Sequence, residues 1–338
     1  MSSERLVKCV FNLTNLSVIC RYKPTILYSF MRKYALLSVG ELLVDVIGTE
    51  IHHSILDTPA FERFQGGSPA NMAANMARLG MGAAIVSCVG NDNLGIFLKN
   101  EVAKTGIDIN HIVTDETQPT SIVIVSRTKG TPDFIAYRTA DRMIQSSHIP
   151  DSLLAESAIF HTTCFALSQD PAQSTIVDAA KRANQIGCRV SLDANYAPQI
   201  WPDRKQAWET ISAYCSHNAL VKLSEDDAER IYGHKISEEQ VIQDFHAMGA
   251  DLVCFTKGGD GSTISYEKGT KKIHLGVKPI DVIDATGAGD AFWAGFLTAW
   301  TEGKSVEICA NAGRNLAALK LITKGPLPTK VNKDILYL

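Results

Sequence analysis

What most constrains this chain is a rhythm. Short apolar runs recur at Ala83 to Val89, Ala158 to Phe160, Arg189 to Asp193, Ala219 to Lys222 and Leu252 to Thr256. Helix-length stretches stand among them, after Ser68 up to Gly80, from Leu94 to Thr105, and at about 171–186, 203–215, 224–232 and 237–248. Continuous apolar runs suit parallel strands covered on both faces, and their alternation with helices is the βαβ pattern. The expected architecture is α/β: a doubly wound, mainly parallel sheet with helices on both faces. Tyr34 to Ile47 reads as one further buried strand, with Gly40, Glu41 and Asp45 at its far end. Each later strand closes on polar residues or glycine: His161-Thr162-Thr163, Asp193-Ala194-Asn195, Lys222-Leu223-Ser224-Glu225 and Thr256-Lys257-Gly258-Gly259. Open α/β sheets bind ligands outside the carboxyl ends of their strands, so these residues form a crest of candidates.

Two stretches depart from the rhythm. Ile51 to Phe64 is β-like, and S-I-V-I-V-S-R and F-I-A-Y-R flank K-G-T-P-D as an antiparallel hairpin with a turn. Together, at about 47–64 and 119–139, they predict a small sheet projecting from the body, either a lid or a plain edge hairpin. Residues 1–30 follow no pattern; Met31 is the expected natural start, with an extension before it and one domain over 31–338.

Glycine turns opening onto helices are the candidate chemistry. Asp284 to Asp290 reads D-A-T-G-A-G-D, directly before an Ala/Phe-rich helix with Phe292, Phe296 and Trp300 at four-residue spacing. Backbone N–H groups of Gly287, Ala288 and Gly289 at a helix N-terminus suit an anion. Asp290 beside that site suits proton acceptance from an attacking hydroxyl, hence phosphoryl transfer to an alcohol. A plain capped helix start is the competing reading. A second glycine turn, Gly66-Gly67, precedes Ser68 and Pro69, which fit N-cap and N1 positions.

Composition narrows the partners. A net charge of -3 and a pI near 6.3 give no basic footprint, so nucleic acid is not expected. Eight cysteines lie scattered without C-x-x-C pairs, as reduced core residues of a cytoplasmic protein do. Zinc is not expected, and no run of about 18 apolar residues predicts a membrane span.

With these motifs in place the chain resembles the ribokinase-like (PfkB) family of carbohydrate kinases over residues 36 to about 330, and within it the fructokinase branch. G-G-S-P-A-N-M-A and D-A-T-G-A-G-D are similar to that family's two signatures, in order and separation; G-E-L-L-V-D, A-Y-R-T-A-D, L-D-A-N-Y-A-P-Q-I-W, V-K-L-S-E-D-D-A and F-T-K-G-G-D-G-S resemble further landmarks. The resemblance implies a doubly wound domain with a β lid, a sugar held between them, Mg-ATP along the C-terminal half, and a homodimer through the lid. Asp290 matches the catalytic base, and Gly287, Ala288 and Gly289 the anion hole. Asp45, Gly66, Gly67 and Asn71 match sugar contacts, and Arg138 a lid-strand arginine. Thr256, Gly258, Gly261 and Asn311 match positions around the nucleotide.

There are departures. Ala285 replaces a usual threonine. Lys222 replaces the first asparagine of an N-x-x-E motif, leaving Glu225 to reach magnesium through water and Lys222 to contact phosphate. After Asn311 the helix is about one turn longer than the family pattern, so of the monovalent-cation ligands only Asp284 and the Thr286 carbonyl are carried over, for potassium as a further candidate ion. The expected function is ATP-dependent phosphorylation of a primary hydroxyl of a small sugar, fructose first. 2-Keto-3-deoxygluconate, whose carboxylate would suit Arg138, and ribose stand behind it; a non-catalytic sugar- or nucleotide-binding regulator is the rival class. Beside these readings, Asp193 and Asn195 are favoured as caps of the next helix, Lys257 reads equally as a solvated charge, and Arg138 as the partner of Asp133 or Asp141.

Overall fold

The computed structural model describes residues 32–128 and 133–338. The expected N-terminal extension and most of the hairpin turn lie outside them. In chain order the first strands are β1 (Tyr34–Val39), β2 (Leu43–Ile51), β3 (Phe61–Gly66), β4 (Ala83–Gly90), β5 (Ile112–Asp115), β6 (Ile122–Arg127) and β7 (Phe134–Tyr137). Then come β8 (Ser157–Thr163), β9 (Arg189–Asp193), β10 (Leu220–Ser224), β11 (Leu252–Thr256), β12 (Ser262–Tyr266) and β13 (Lys271–Leu275). The helices are α1 (Ser68–Arg78), α2 (Asn93–Ala103), α3 (Asp151–Ala155), α4 (Ala172–Gln185) and α5 (Arg204–Cys215). They continue with α6 (Glu225–Tyr232), α7 (Glu238–Ala247), α8 (Ala288–Thr301) and α9 (Val306–Leu321).

Nine strands form the main sheet in the order β13-β12-β11-β10-β9-β8-β1-β4-β5, parallel from β11 to β5 and antiparallel at β12 and β13. β4 and β8 are buried at every position, as a parallel strand covered by helices on both faces requires. Two apolar cores result. One joins β8, β9 and β10 to α4, α5 and α7; the other joins α1, α8 and α9 to the opposite face. A second sheet of four strands, β3-β2-β6-β7, stands apart, with β6 and β7 as the expected hairpin.

The single strand expected over 34–47 is corrected to two. β1 ends in the main sheet and β2 begins in the small one, because the backbone turns at Gly40 with φ of 151°. A Cβ there would lie 2.8 Å from Ala166 and from Pro69, so the turn admits only glycine. This switch carries Asp45 off the main sheet and over the crest. α8 is likewise corrected from one apolar face to a helix buried on all sides from Ala291 to Ala299. Among the described residues no helix is long and apolar enough to cross a membrane, and the six described cysteines are free and buried.

Candidate active site

α8 starts at Gly287, whose φ of 73° turns the D-A-T-G-A-G-D backbone into the helix. No side chain caps that end; the Ala288 N–H expected in the anion hole donates instead to Ala285 O at 3.2 Å, which leaves those of Gly287 and Gly289 for an anion. Asp290, in the first turn, is held from the facing glycine turn: Ser68 Oγ donates to Oδ1 at 2.8 Å and Asn71 Nδ2 to Oδ2 at 3.2 Å. Ser68 is therefore not the helix cap expected from sequence. Gly67 occupies the N-cap position of α1 with φ of 107°, packed so tightly on Glu41 O that a Cβ would lie 2.3 Å away. That contact presents the Ser68 hydroxyl to Asp290 instead. Burial raises the Asp290 carboxyl above its usual value, while Lys222 and the bonds from Ser68 and Asn71 pull it back.

Lys222 is the middle residue of β10 and is buried. Its Nζ donates to Asp193 Oδ1 at 2.9 Å and Oδ2 at 2.8 Å. Burial works against the ammonium, but Asp193, Asp227 and Asp290 together raise its pKa above the usual lysine value. The capping role expected for Asp193 and Asn195 is corrected by this arrangement. α5 takes Asp203 as its cap, Asp193 at the end of β9 forms the ion pair, and Asn195 lines the cleft with φ of 29°. Nζ also approaches the anion turn: a Cβ on Gly289 would meet it at 3.1 Å. A positive charge is thus fixed beside the N–H groups of Gly287 and Gly289, where Asp193 keeps it in place.

Two cavities meet at Asp290. One, of about 690 Å³, runs under the small sheet along Gln65, Arg78, Lys104 and Arg127. The other, of about 750 Å³, runs along Lys222, Glu225, Thr256, Lys257 and Gly258. Asp45, Asn71, Thr286, Gly287 and Asp290 line both. Asp45 hangs over the junction from β2, and burial pushes its carboxyl up to about 7. Its carboxylate lies against the bare Gly66, where a Cβ would come within 2.3 Å. Glu41, pushed up to about 8 by burial although Thr163 Oγ1 donates to it at 2.8 Å, forms part of the wall. Glu225 opens α6 beside a capping box formed by Ser224 and Asp227, exposed to the second cavity.

Other expected contacts lie elsewhere. Gly66, Arg138, Gly261, Ala288 and Asn311 line neither cavity. Arg138 gives Nε (2.7 Å) and Nη2 (2.5 Å) to Asp141, and Nη1 to Phe165 O and Ser168 Oγ, with its guanidinium over the Phe165 ring. The expected pairing with Asp141 is present, though buried rather than on the surface. Gly261 turns the chain into β12, and Asn311 bonds within α9 to Glu307 and Arg314. Lys257 is paired with Glu238 at 2.8 Å. Sequence reasoning missed Ser68 as part of the site and favoured a capping role for Asp193 although it stood in the crest; their capping chemistry masked bonds to partners distant in the chain.

A doubly wound sheet with an uncapped glycine turn beside a buried carboxylate and a second glycine turn is the architecture of the class that the comparisons show, a phosphotransferase with an alcohol as acceptor. The chain belongs to the pfkB family of carbohydrate kinases, whose family model matches residues 34–331. It is 36% identical over 293 residues to the ATP-dependent 6-phosphofructokinase of Thermoanaerobacterium thermosaccharolyticum, covering 86% of this chain and 88% of that one. The fructokinase of Halothermothrix orenii superposes with a TM-score of 0.71 at 32% identity, covering 85% of this chain and 98% of that one. An uncharacterized sugar kinase of Pyrococcus horikoshii, solved in complex with ATP, superposes with a TM-score of 0.76 at 27% identity, covering 88% and 96%.

Proposed function

We propose that this protein transfers the γ-phosphoryl group of ATP to a primary hydroxyl of fructose. The observation that carries the reading is Asp290, oriented by Ser68 and Asn71 at the junction of two cavities with an anion turn above a buried ammonium. In this reading the first cavity takes the sugar and the second the nucleotide, with Thr256 and Gly258 along the latter. Asp45 accepts sugar hydroxyl groups, Asp290 accepts the proton of the attacking hydroxyl, and the Gly287 and Gly289 amides with Lys222 offset charge on the transferring group. Among the described residues no group of three His, Cys, Asp or Glu side chains is arranged to hold a metal. Glu225, exposed to the second cavity, would reach through water a Mg²⁺ ion arriving on the ATP phosphates. Bound there, Mg-ATP supplies the phosphoryl group and its counter-charge. The small sheet acts as the lid over the sugar.

One observation favours a second acceptor, fructose 6-phosphate. The cavity under the small sheet carries Arg78, Lys104 and Arg127, which suit a phosphate, and the relative at 36% identity is a 6-phosphofructokinase. The 2-keto-3-deoxygluconate reading loses its support, since Arg138 is engaged with Asp141. An ADP-release assay with fructose, fructose 6-phosphate, ribose and 2-keto-3-deoxygluconate tests all of these. Fructose with the highest kcat/KM supports the first reading, and fructose 6-phosphate, lost selectively in Arg127→Ala, supports the second. Thermal stabilisation by a sugar without ADP release would instead mark a binding protein.

A further inference from the structure

Lys320 is a lysine in the last turn of α9 with 5% of its surface exposed. Its ammonium has three donors and three oxygen acceptors: Asp284 O at 3.2 Å, Asp284 Oδ2 at 3.3 Å and Thr323 O at 3.3 Å. Asp284, which supplies two of these oxygens, is one of the two residues, with Thr286, expected from sequence to hold a monovalent cation. The rest of Asp284 is engaged too. Its Oδ1 accepts from Thr286 N at 3.0 Å, and its Oδ2 also accepts from Gly325 N at 2.9 Å. The residues present therefore do not fit an added potassium ion: one carboxylate and the nearest carbonyls already coordinate a fixed positive charge, which would repel a second cation.

We propose that Lys320 serves as a tethered cation in place of a bound monovalent ion, ordering the phosphate-binding turn, and that turnover is consequently independent of potassium. Lys320 reaches this position from the last turn of α9, one residue before the helix ends at Leu321. At the end of α9 its charge also complements the helix C-terminus. Two backbone bonds seal the same junction, Ile283 N to Leu321 O at 2.8 Å and Asp284 N to Leu321 O at 3.1 Å. The aliphatic stem reaches the turn itself: a Cβ on Gly287 would lie 4.0 Å from both Lys320 Cε and Asp290 Oδ2. Lys320 is thus a positioning residue. It holds Asp284, and Asp284 holds the N–H of Thr286 at the entry to the turn.

The inference rests on the kinase reading, so its test has two readouts, of which one needs no acceptor. The full-length protein is compared in KCl, NaCl and tetramethylammonium chloride at equal ionic strength. Expected are equal rates of ADP release on the accepted sugar and equal melting temperatures in all three salts. In Lys320→Ala, turnover in tetramethylammonium should fall about 10- to 100-fold, the scale of losing an outer-shell partner of a charged site. KCl should restore part of it and raise that variant's melting temperature, while Lys320→Met, which fills the space without charge, falls and does not respond. Native turnover or melting temperature several-fold or several degrees higher in KCl than in tetramethylammonium would overturn the inference. So would Lys320→Ala with no response to KCl, the behaviour of a merely structural lysine. Should that variant not fold, the three-salt comparison of the native protein decides. A sugar panel giving no ADP removes the kinase reading, and the melting comparison still judges Lys320.

Discussion

Three aspartates in one cleft differ in what surrounds them, and the differences assign their work. Asp290 receives two side-chain hydrogen bonds, Asp193 is locked to Lys222, and Asp45 has no hydrogen-bond partner among the described residues. If Asp290 is the proton acceptor proposed above, Asp290→Asn should lower kcat by at least about 10²-fold while sugar affinity persists; near-native turnover would remove Asp290 from that role. Ser68→Ala tests the residue hidden by its capping chemistry. The Ser68 bond stabilises the charged form of Asp290, so its loss should move the acid limb of the kcat/KM profile to higher pH, with turnover falling a few-fold, as losing a hydrogen bond of about 1 kcal/mol implies. Asp45 gives a separate limb. It ionises near pH 7, above the usual 3.8, so sugar capture should strengthen as pH rises through about 7, and Asp45→Asn should abolish that limb. The stability sign runs the other way. A carboxyl with a raised folded pKa gives its full stabilisation below 3.8, and that contribution declines from there to about pH 7. Asp45→Asn should therefore melt higher than the native protein at pH 8, a gain in stability at the expense of binding.

At the scale of elements, the site depends on how closely α8 and α9 approach. Gly295 of α8 faces the backbone of α9, where a Cβ would lie 2.6 Å from Ala312 O; on Gly313 it would lie 2.7 Å from Phe292 O. Gly295→Ala must push the helices apart, and α8 carries Asp290 while α9 carries Lys320. A loss of about 1–3 kcal/mol in urea unfolding is expected, the range for overpacking a filled core; an unchanged midpoint would show that the crossing can relax. Neither glycine stands out in a sequence whose helices are otherwise plain. What was legible was local: helix spans set by periodicity and glycine stops, strand ends set by polar residues, and the Arg138–Asp141 pair at i,i+3 spacing. What was not legible was long-range. The split of the first strand depends on Ala166 and Pro69 crowding Gly40, and the bonds Ser68–Asp290 and Asp193–Lys222 join different elements. Asp and Ser at strand or helix ends cap helices well in general, so only the fold reveals when a buried partner claims them instead.

Across the whole molecule, the small sheet has two faces with different prospects. Alternation along its strands puts Asp45, Phe64, Val123 and Phe134 toward the cavities. The register pairs Val46 with Ile124, Ile124 with Ile135, Ile122 with Tyr137 and Gly48 with Phe61, so these residues share the opposite face. Its middle is covered, with Val46 and Ile122 packed on the core and Arg63 over the Phe97 ring of α2, but its edge strands expose apolar residues: Ile135 is 44% exposed, Tyr137 53% and Phe61 36%. Exposed apolar residues on the β7 edge suit a partner surface, and a second copy of the same edge offers a self-complementary one. The expected outcome is a dimer by analytical ultracentrifugation, converted to a monomer by Ile135→Asp combined with Tyr137→Asp. Because Asp45 and Phe134 lie on strands whose backs carry this face, the monomer should lose its grip on sugar first. KM for the acceptor should rise several-fold with kcat less affected, since α8, Lys222 and the anion turn belong to the main sheet. A native protein that sediments as a monomer, or a monomeric variant with unchanged KM, would mean that the small sheet positions Asp45 without help from a second subunit.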